Sequence, residues 1–192
     1  MFPLVVDLRG RRVVVVGAGT VGAHKSSQLL AAGANVTVIS DVVVGKLPDG
    51  VESVLERRYQ PGDLDGAFLA VAATGDRDVN DLIVEEARQR NILLNVVDDL
   101  ARSNFFFTAV HRDGDVLVSV STEGSSPALA QWIRNAVAAA LPKNLGAVAS
   151  RLRAERAGLH AAGQTSENRP WAARVEALID ELGVRGPGDV GC

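Results

Sequence analysis

Residues 12–22, Arg-Val-Val-Val-Val-Gly-Ala-Gly-Thr-Val-Gly, decide how the rest of the chain is read. Four consecutive valines are stiff at χ1 and favour a strand. Many valines together with many glycines suggest buried strands joined by tight turns, as in an α/β fold. The run stops at Gly17, and Gly17, Gly19 and Gly22 stand at G-x-G-x-x-G spacing before a helical segment over 23–32 that Gly33 closes. Glycine hexamers arise by chance, so the spacing carries meaning only because it joins a strand to a helix. In that setting Gly17 permits a tight turn, Gly19 lets the backbone approach a pyrophosphate, and Gly22 lets helix and strand pack closely. The helix start, with Thr20 and Val21, then offers N–H groups and partial positive charge to an anion.

A second strand over 35–40 completes a βαβ unit, expected to be parallel and right-handed. Dinucleotide sites place an acidic residue about twenty positions on, at the end of that strand, to accept from a ribose hydroxyl, and Asp41 stands there. Its charge repels a 2′-phosphate and favours NAD over NADP, although Ser40 beside it and Lys46 leave NADP open. Residues 67–73 and 92–97 are further apolar runs of strand length, separated by helical spacing over 79–90. Ala73-Thr74-Gly75-Asp76 falls where a bound dinucleotide crosses the carboxyl edge of the sheet, and its small residues read either as cofactor lining or as an ordinary strand-end turn. The fold class is α/β, with a Rossmann-type parallel sheet. Asp98 and Asp99 follow the last run. Burial beside it would raise the pKa of Asp98 and suit it to general base work, while Asp99 reads as a cap or turn residue; a structural role for either is the alternative.

Beyond this point the pattern changes. Segments 105–110 and 116–121 flank Arg112-Asp113-Gly114-Asp115, a turn suited to an antiparallel hairpin. A helix over 126–141 follows, capped by Ser125 or Ser126 with Pro127 in its first turn and Pro142 behind it. Two helical segments, around 145–160 and 171–182, precede a Gly/Pro-rich end expected to be disordered. The expected organisation is an NAD-binding domain over 1–112, a hairpin-plus-helix segment over 113–145, to which the resemblance described below assigns dimerisation, and a helical tail over 146–192.

Composition narrows the function. The chain has 192 residues, 47% hydrophobic and 22% charged, enough for one good-sized core and an appendage. Its 20 Lys and Arg against 23 Asp and Glu disfavour a nucleic-acid partner. No apolar run approaches the roughly 20 residues of a membrane helix, and the first residues lack a signal-peptide layout, so a cytoplasmic location without membrane contact is expected. The single cysteine, Cys192, supports no disulfide or thiolate cluster, and His24, His111 and His160 have no ligand spacing, so no metal site is expected. The 19 glycines beside 4% aromatics fit tight turns between buried strands.

Several motifs in order carry a resemblance. They are Gly17–Gly22 with Lys25, Leu29 and Leu30, the segment 33–39, Ala72-Ala73-Thr74, Val79-Asn80, Asn95-Val96-Val97-Asp98, and Ser119-Val120-Ser121-Thr122 leading to Gly124 and Ser126-Pro127-Ala128-Leu129-Ala130. Over residues 1 to about 141 the chain resembles the precorrin-2 dehydrogenases, which occur alone, fused in siroheme synthase, or as the yeast bifunctional dehydrogenase and ferrochelatase. The resemblance implies NAD-dependent oxidation of precorrin-2 to sirohydrochlorin by a homodimer built around the segment after the parallel sheet. It implies Asp98 as the residue on which activity depends, as proton acceptor or positioning group. It also implies that Ser121 and Thr122 lie in a substrate-facing loop, a simple turn being the alternative, and that the helical tail lies near the tetrapyrrole. His24 stands where the family more commonly carries Arg. A polycarboxylate substrate calls for cations, and the candidates are Arg102, Arg112, Arg134, Lys143, Arg151, Arg153 and Arg156, the last three equally readable as a solvated helix face. Insertion of Fe²⁺ into sirohydrochlorin, an activity of some members, stays open. A dinucleotide-sensing regulatory domain would need the glycine fingerprint but neither the 95–98 nor the 119–130 motif.

Overall fold

The valine run lies where its composition sends it, in the middle of a parallel sheet. The computed structural model describes residues 1–167 and 169–184, and two units divide the chain, Met1–Phe106 and Phe107 onward. In the first unit β1 (Arg12–Ala18), α1 (Thr20–Ala31), β2 (Asn35–Val43), β3 (Ser53–Leu55), β4 (Leu69–Ala72), α2 (Arg77–Gln89) and β5 (Leu93–Val96) follow one another. The strands line up as β3-β2-β1-β4-β5, every neighbouring pair parallel. The chain runs outward from β1 to β3, then crosses back to β4 on the other side of β1. That reversal makes the carboxyl ends of β1 and β4 the switch point, where open α/β sheets bind ligands.

Val13, Val14, Val15 and Val16 are all buried. Side chains alternate across a strand, so Val14 and Val16 join Ile83 and Ala87 of α2 in one core layer, while Val13 and Val15 face the opposite layer. Each buried valine contributes on the order of 1.5–3 kcal/mol.

Most boundaries shift by one or two residues from the sequence expectation, and three of the differences have a local reason. α1 starts at Thr20 rather than residue 23, because the N–H of Ala23 already bonds the Gly19 carbonyl. β2 runs on through Asp41 to Val43, because a register shift after Val16 lets Ala18 pair with Val43. Residues 105–107 are not part of the hairpin. Asn104 and Phe105 instead donate to the Leu94 carbonyl at 2.9 and 3.4 Å, and Asn95 Nδ2 donates to the Phe105 carbonyl at 3.2 Å, which binds this stretch to β5.

The second unit begins with the antiparallel hairpin β6 (Ala109–Asp113) and β7 (Val116–Val120). Its two-residue turn contains Gly114 at φ +55°, a value that favours glycine. α3 (Pro127–Ala140) packs on the hairpin, with the Ser126 hydroxyl capping the Leu129 N–H at 3.1 Å and Pro127 in the first turn. α4 (Leu145–Ala161) and α5 (Trp171–Glu181) pair through Val148 and Leu178, together with Val184. A Cβ on Gly146 would lie 2.6 Å from the Asp113 carbonyl oxygen, so the start of α4 rests directly on the hairpin turn. Asp115 and Arg153 tie the same elements by an ion pair of 2.7 Å. The segment expected to be disordered, with Cys192, lies outside the described residues. No described helix is long and apolar enough to cross a membrane.

Candidate functional site

The three fingerprint glycines have separable reasons. Gly17 sits at φ +105°, and a Cβ there would meet the Ala73 carbonyl oxygen at 2.5 Å. A Cβ on Gly22 would meet the Gly17 carbonyl oxygen at 1.9 Å. Both positions exclude a side chain for reasons internal to the fold. Gly19 does not: its φ is −79°, and a Cβ there would meet nothing within 4 Å. The space over Gly19 opens onto the N-terminus of α1, where Thr20 and Val21 are exposed, no side chain caps the helix and no acidic residue stands in the first turn. The N–H groups there and the positive end of the helix dipole suit a phosphate.

The facing wall is β4 and the turn after it. Ala73 donates its N–H to the Val16 carbonyl at 2.7 Å, which closes β4 onto β1. Thr74 accepts from the Asp76 N–H at 3.1 Å through its hydroxyl and from Asn80 Nδ2 at 3.1 Å through its carbonyl. Asn80 is buried, and its Oδ1 has no partner among the described residues. Asp76 caps α2 by accepting from the N–H groups of Asp78 and Val79. Between these walls lies a cleft of about 180 Å³ lined by Gly17, Ser40, Asp41, Arg58, Thr74 and Asp76 among others. Asp41 is exposed at its mouth, and Ser40 holds the β1 end by accepting from the Ala18 N–H at 3.2 Å. A larger cavity of about 490 Å³ lies in the second unit between Leu159, Pro170 and Trp171. Its Arg174 is bonded to Glu155 and Glu181, whereas the smaller cleft lies beside the glycine turn at the carboxyl ends of β1 and β4.

Asp98 lies two residues past β5, on the same carboxyl edge. It is exposed, which overturns the expectation of burial, because the chain turns out of the sheet there at φ +60°. No hydrogen bond or ion pair to its carboxylate is found among the described residues. Asp99, by contrast, accepts from Arg102 through the backbone N–H at 3.1 Å and through Nε at 2.6 Å. Arg102 holds the Asp99 carboxyl below the usual carboxylate range. Arg102 also donates to Asp81 at 2.5 Å, and the Ser103 hydroxyl donates to the Asp99 carbonyl at 2.7 Å. The turn that presents Asp98 is thus fastened on both sides while Asp98 stays free.

A family model for NAD(P)-binding domains, NAD_binding_7, matches residues 4–109. The chain belongs to this family, which it shares with the N-terminal region of siroheme synthases. A siroheme synthase of Photorhabdus laumondii is 40% identical over 151 residues, covering 77% of this chain and 32% of the relative. Siroheme synthase 1 of Yersinia enterocolitica is 38% identical over 191 residues, 96% of this chain and 40% of the relative. The chain therefore spans about a third of the length of these curated relatives. Among solved structures, SirC, a precorrin-2 dehydrogenase, superposes with a TM-score of 0.69 at 25% identity, covering 95% of this chain and 89% of that one.

In this NAD(P)-binding family member the residues present fit the dinucleotide, with an open cradle at Gly19, free N–H groups at α1, an unpartnered buried oxygen on Asn80 and an acid at the end of the cleft. The remaining expected residues lie in the second unit. The Thr122 hydroxyl donates to the Ser126 carbonyl at 3.0 Å and accepts from its N–H at 3.2 Å, which shapes the turn before α3. Ser121 accepts from the Glu123 N–H at 3.1 Å and keeps its own proton for donation. Arg134 on α3 is half-buried, and its Nε lacks a partner among the described residues. Arg153 is paired with Asp115 and Arg151 lies 3.6 Å from Glu155, whereas Arg112, Lys143 and Arg156 are exposed. Arg102 differs from expectation, because two carboxylates already occupy its guanidinium. His24 is exposed on α1, and His160 lies 3.3 Å from the Ser166 hydroxyl, a local packing contact. Sequence reasoning missed Arg58 as a site residue, since it lies in an irregular segment that carries no signal; Asp76 falls in the stretch expected where a dinucleotide crosses the sheet edge, and its capping of α2 was not foreseen.

Proposed function

We propose that this protein oxidises precorrin-2 to sirohydrochlorin, with NAD as hydride acceptor, in siroheme biosynthesis. The observation that carries this reading is the likeness to SirC over 95% of the chain, in a protein whose glycine cradle and Asp41 suit a dinucleotide. NAD supplies the hydride chemistry when bound. Gly17, Gly19, Gly22, Thr20 and Val21 would hold the pyrophosphate, Asp41 would accept from the adenosine ribose, and Ala73 and Thr74 would line the cofactor. Loss of a hydride from carbon leaves a proton to be removed, and Asp98 is the group for it. Its carboxylate is exposed and without an internal partner, so it is available to a substrate. The Asp99–Arg102–Asp81 chain and Ser103 keep its backbone in place, which fixes the orientation that proton transfer needs. Arg102 acts as a positioning residue in this scheme. Arg134 and the Ser121 hydroxyl hold substrate carboxylates, while Thr122 sets the loop. Segment 113–145 forms a homodimer; exposed Leu129 and Trp132 on α3 supply the apolar surface.

Purified protein incubated with precorrin-2 and NAD is expected to develop the sirohydrochlorin spectrum, and Asp98→Ala to abolish it while NADH still binds. No conversion by the unaltered protein overturns the assignment.

A further inference from the structure

The mouth of the cofactor cleft carries a row of charges from three elements. Asp41 comes from β2, Arg58 from the segment between β3 and β4, and Asp76 from the cap of α2. Arg58 Nη2 donates to Asp76 Oδ2 at 2.7 Å, and its Nε lies 3.5 Å from Asp41 Oδ2, near enough for charge attraction and long for a hydrogen bond. Asp76 cannot follow Arg58 outward, because its other oxygen, Oδ1, accepts the two N–H groups that begin α2. Arg58 is therefore tethered at one end and loosely held at the Asp41 end. Its neighbour Arg57 is different: two bonds of 2.8 and 2.6 Å commit it to Asp63, with a side chain 38% exposed against 70% for Arg58.

We propose that Arg58 is a specificity-determining residue of the dinucleotide site, so that the Asp41–Arg58 pair, and not Asp41 alone, sets the choice between a ribose 2′-hydroxyl and a 2′-phosphate. The inference rests on the NAD(P) reading of the cleft. Asp41 accepts from a hydroxyl and repels a phosphate, as an acid at this position does in other dinucleotide sites. Arg58 offsets part of that repulsion, and with its planar fork it is the cation able to take a 2′-phosphate once the carboxylate beside it is neutralised. The three side chains together keep one net negative charge, so the unaltered protein favours the 2′-hydroxyl.

The test is a double-mutant cycle read by fluorescence titration of NADH and NADPH, with no turnover involved. Asp41→Asn is expected to tighten NADPH by about tenfold or more while changing NADH only a few-fold. In an Arg58→Ala background the same Asp41→Asn change is expected to gain less than about threefold for NADPH. Arg58→Ala alone weakens NADPH more than NADH, and Arg58→Lys restores part of the loss. Equal NADPH gains from Asp41→Asn with and without Arg58 overturn the proposal while leaving the cofactor reading intact. Binding of neither dinucleotide by the unaltered protein overturns both. Arg58 and Asp41 are exposed, and thermal melts of each variant verify that the fold is kept.

Discussion

Alanine placed at each of the fingerprint glycines in turn separates what the fold requires from what a ligand requires. At Gly22 the new Cβ would sit 1.9 Å from the Gly17 carbonyl oxygen, where real Cβ atoms keep at least 3.0 Å. Both atoms are held by backbone, so α1 must move off β1 by about an ångström, an overpacking defect worth about 1–3 kcal/mol. At Gly17 a contact of 2.5 Å with Ala73 combines with φ +105°, which adds about 1–3 kcal/mol of backbone strain for an L-residue. At Gly19 there is no contact and φ is negative, so Gly19→Ala costs no more than about 1 kcal/mol, the difference between glycine and alanine at a helix N-cap. The same methyl occupies the space where a pyrophosphate approaches the α1 N–H groups, and NADH affinity falls by about tenfold or more, about 1.4 kcal/mol. Urea unfolding measures the first quantity and NADH fluorescence titration the second. The order expected for stability is Gly19→Ala above Gly22→Ala and Gly17→Ala. A Gly19→Ala protein that binds NADH as tightly as the parent refutes the placement of the pyrophosphate, and a Gly22→Ala protein of parental stability refutes the packing argument.

Further outcomes follow from other sites. Asp98→Gly should raise stability by up to about 1 kcal/mol, because glycine relieves the left-handed backbone, while precorrin-2 turnover falls at least about a hundredfold; activity retained in this variant removes the carboxylate from the chemistry. Tyr59 donates to the buried Glu86 at 2.5 Å, and burial with that carboxylate pushes the phenol well above its ordinary value. The folded protein thus keeps this proton at pH values where the unfolded chain has lost it, so stability should decline as pH rises above about 10, and Tyr59→Phe should flatten that decline in pH-dependent urea titrations. Asp63 is held below the ordinary carboxylate range by Arg57, so its contribution is present above about pH 4 and is lost as pH falls through the lowered value; Asp63→Asn should weaken the acid dependence. The proposed homodimer predicts that Trp132→Glu, which places a charge on the exposed apolar face of α3, shifts sedimentation toward a monomer without unfolding the chain; sedimentation identical to the parent's overturns this placement of the interface.

The parts of this protein that rest on short-range rules were legible in its residues. The valine run, the glycine spacing and Asp41 are each set by local backbone demands or by a strand and helix adjacent in sequence, and the parallel sheet follows from them. Arg58 was not legible, because its meaning depends on Asp41 and Asp76, which lie 17 and 18 positions away on separate elements and meet it only at the sheet edge. Asp98 was read as buried because it follows an apolar strand, yet one residue at φ +60° is enough to turn it out of the sheet. The start of the hairpin was misplaced because Phe105 has the composition of a strand, and side-chain amides at Asn95 and Asn104 bind that stretch to β5 instead.

The bare contact between Gly114 and Gly146 has a consequence for how this protein can diverge. Where two helices meet through side chains, a change of residue on either surface can re-aim them. Here main chain lies on main chain, with a Cβ at Gly114 reaching to 3.0 Å of the Gly146 Cα. The direction in which α4 leaves the hairpin is therefore set first by these two positions, with the Asp115–Arg153 ion pair beside them, and exposed positions of α4 and α5 away from these contacts are at liberty to accumulate substitutions without steering the tail elsewhere.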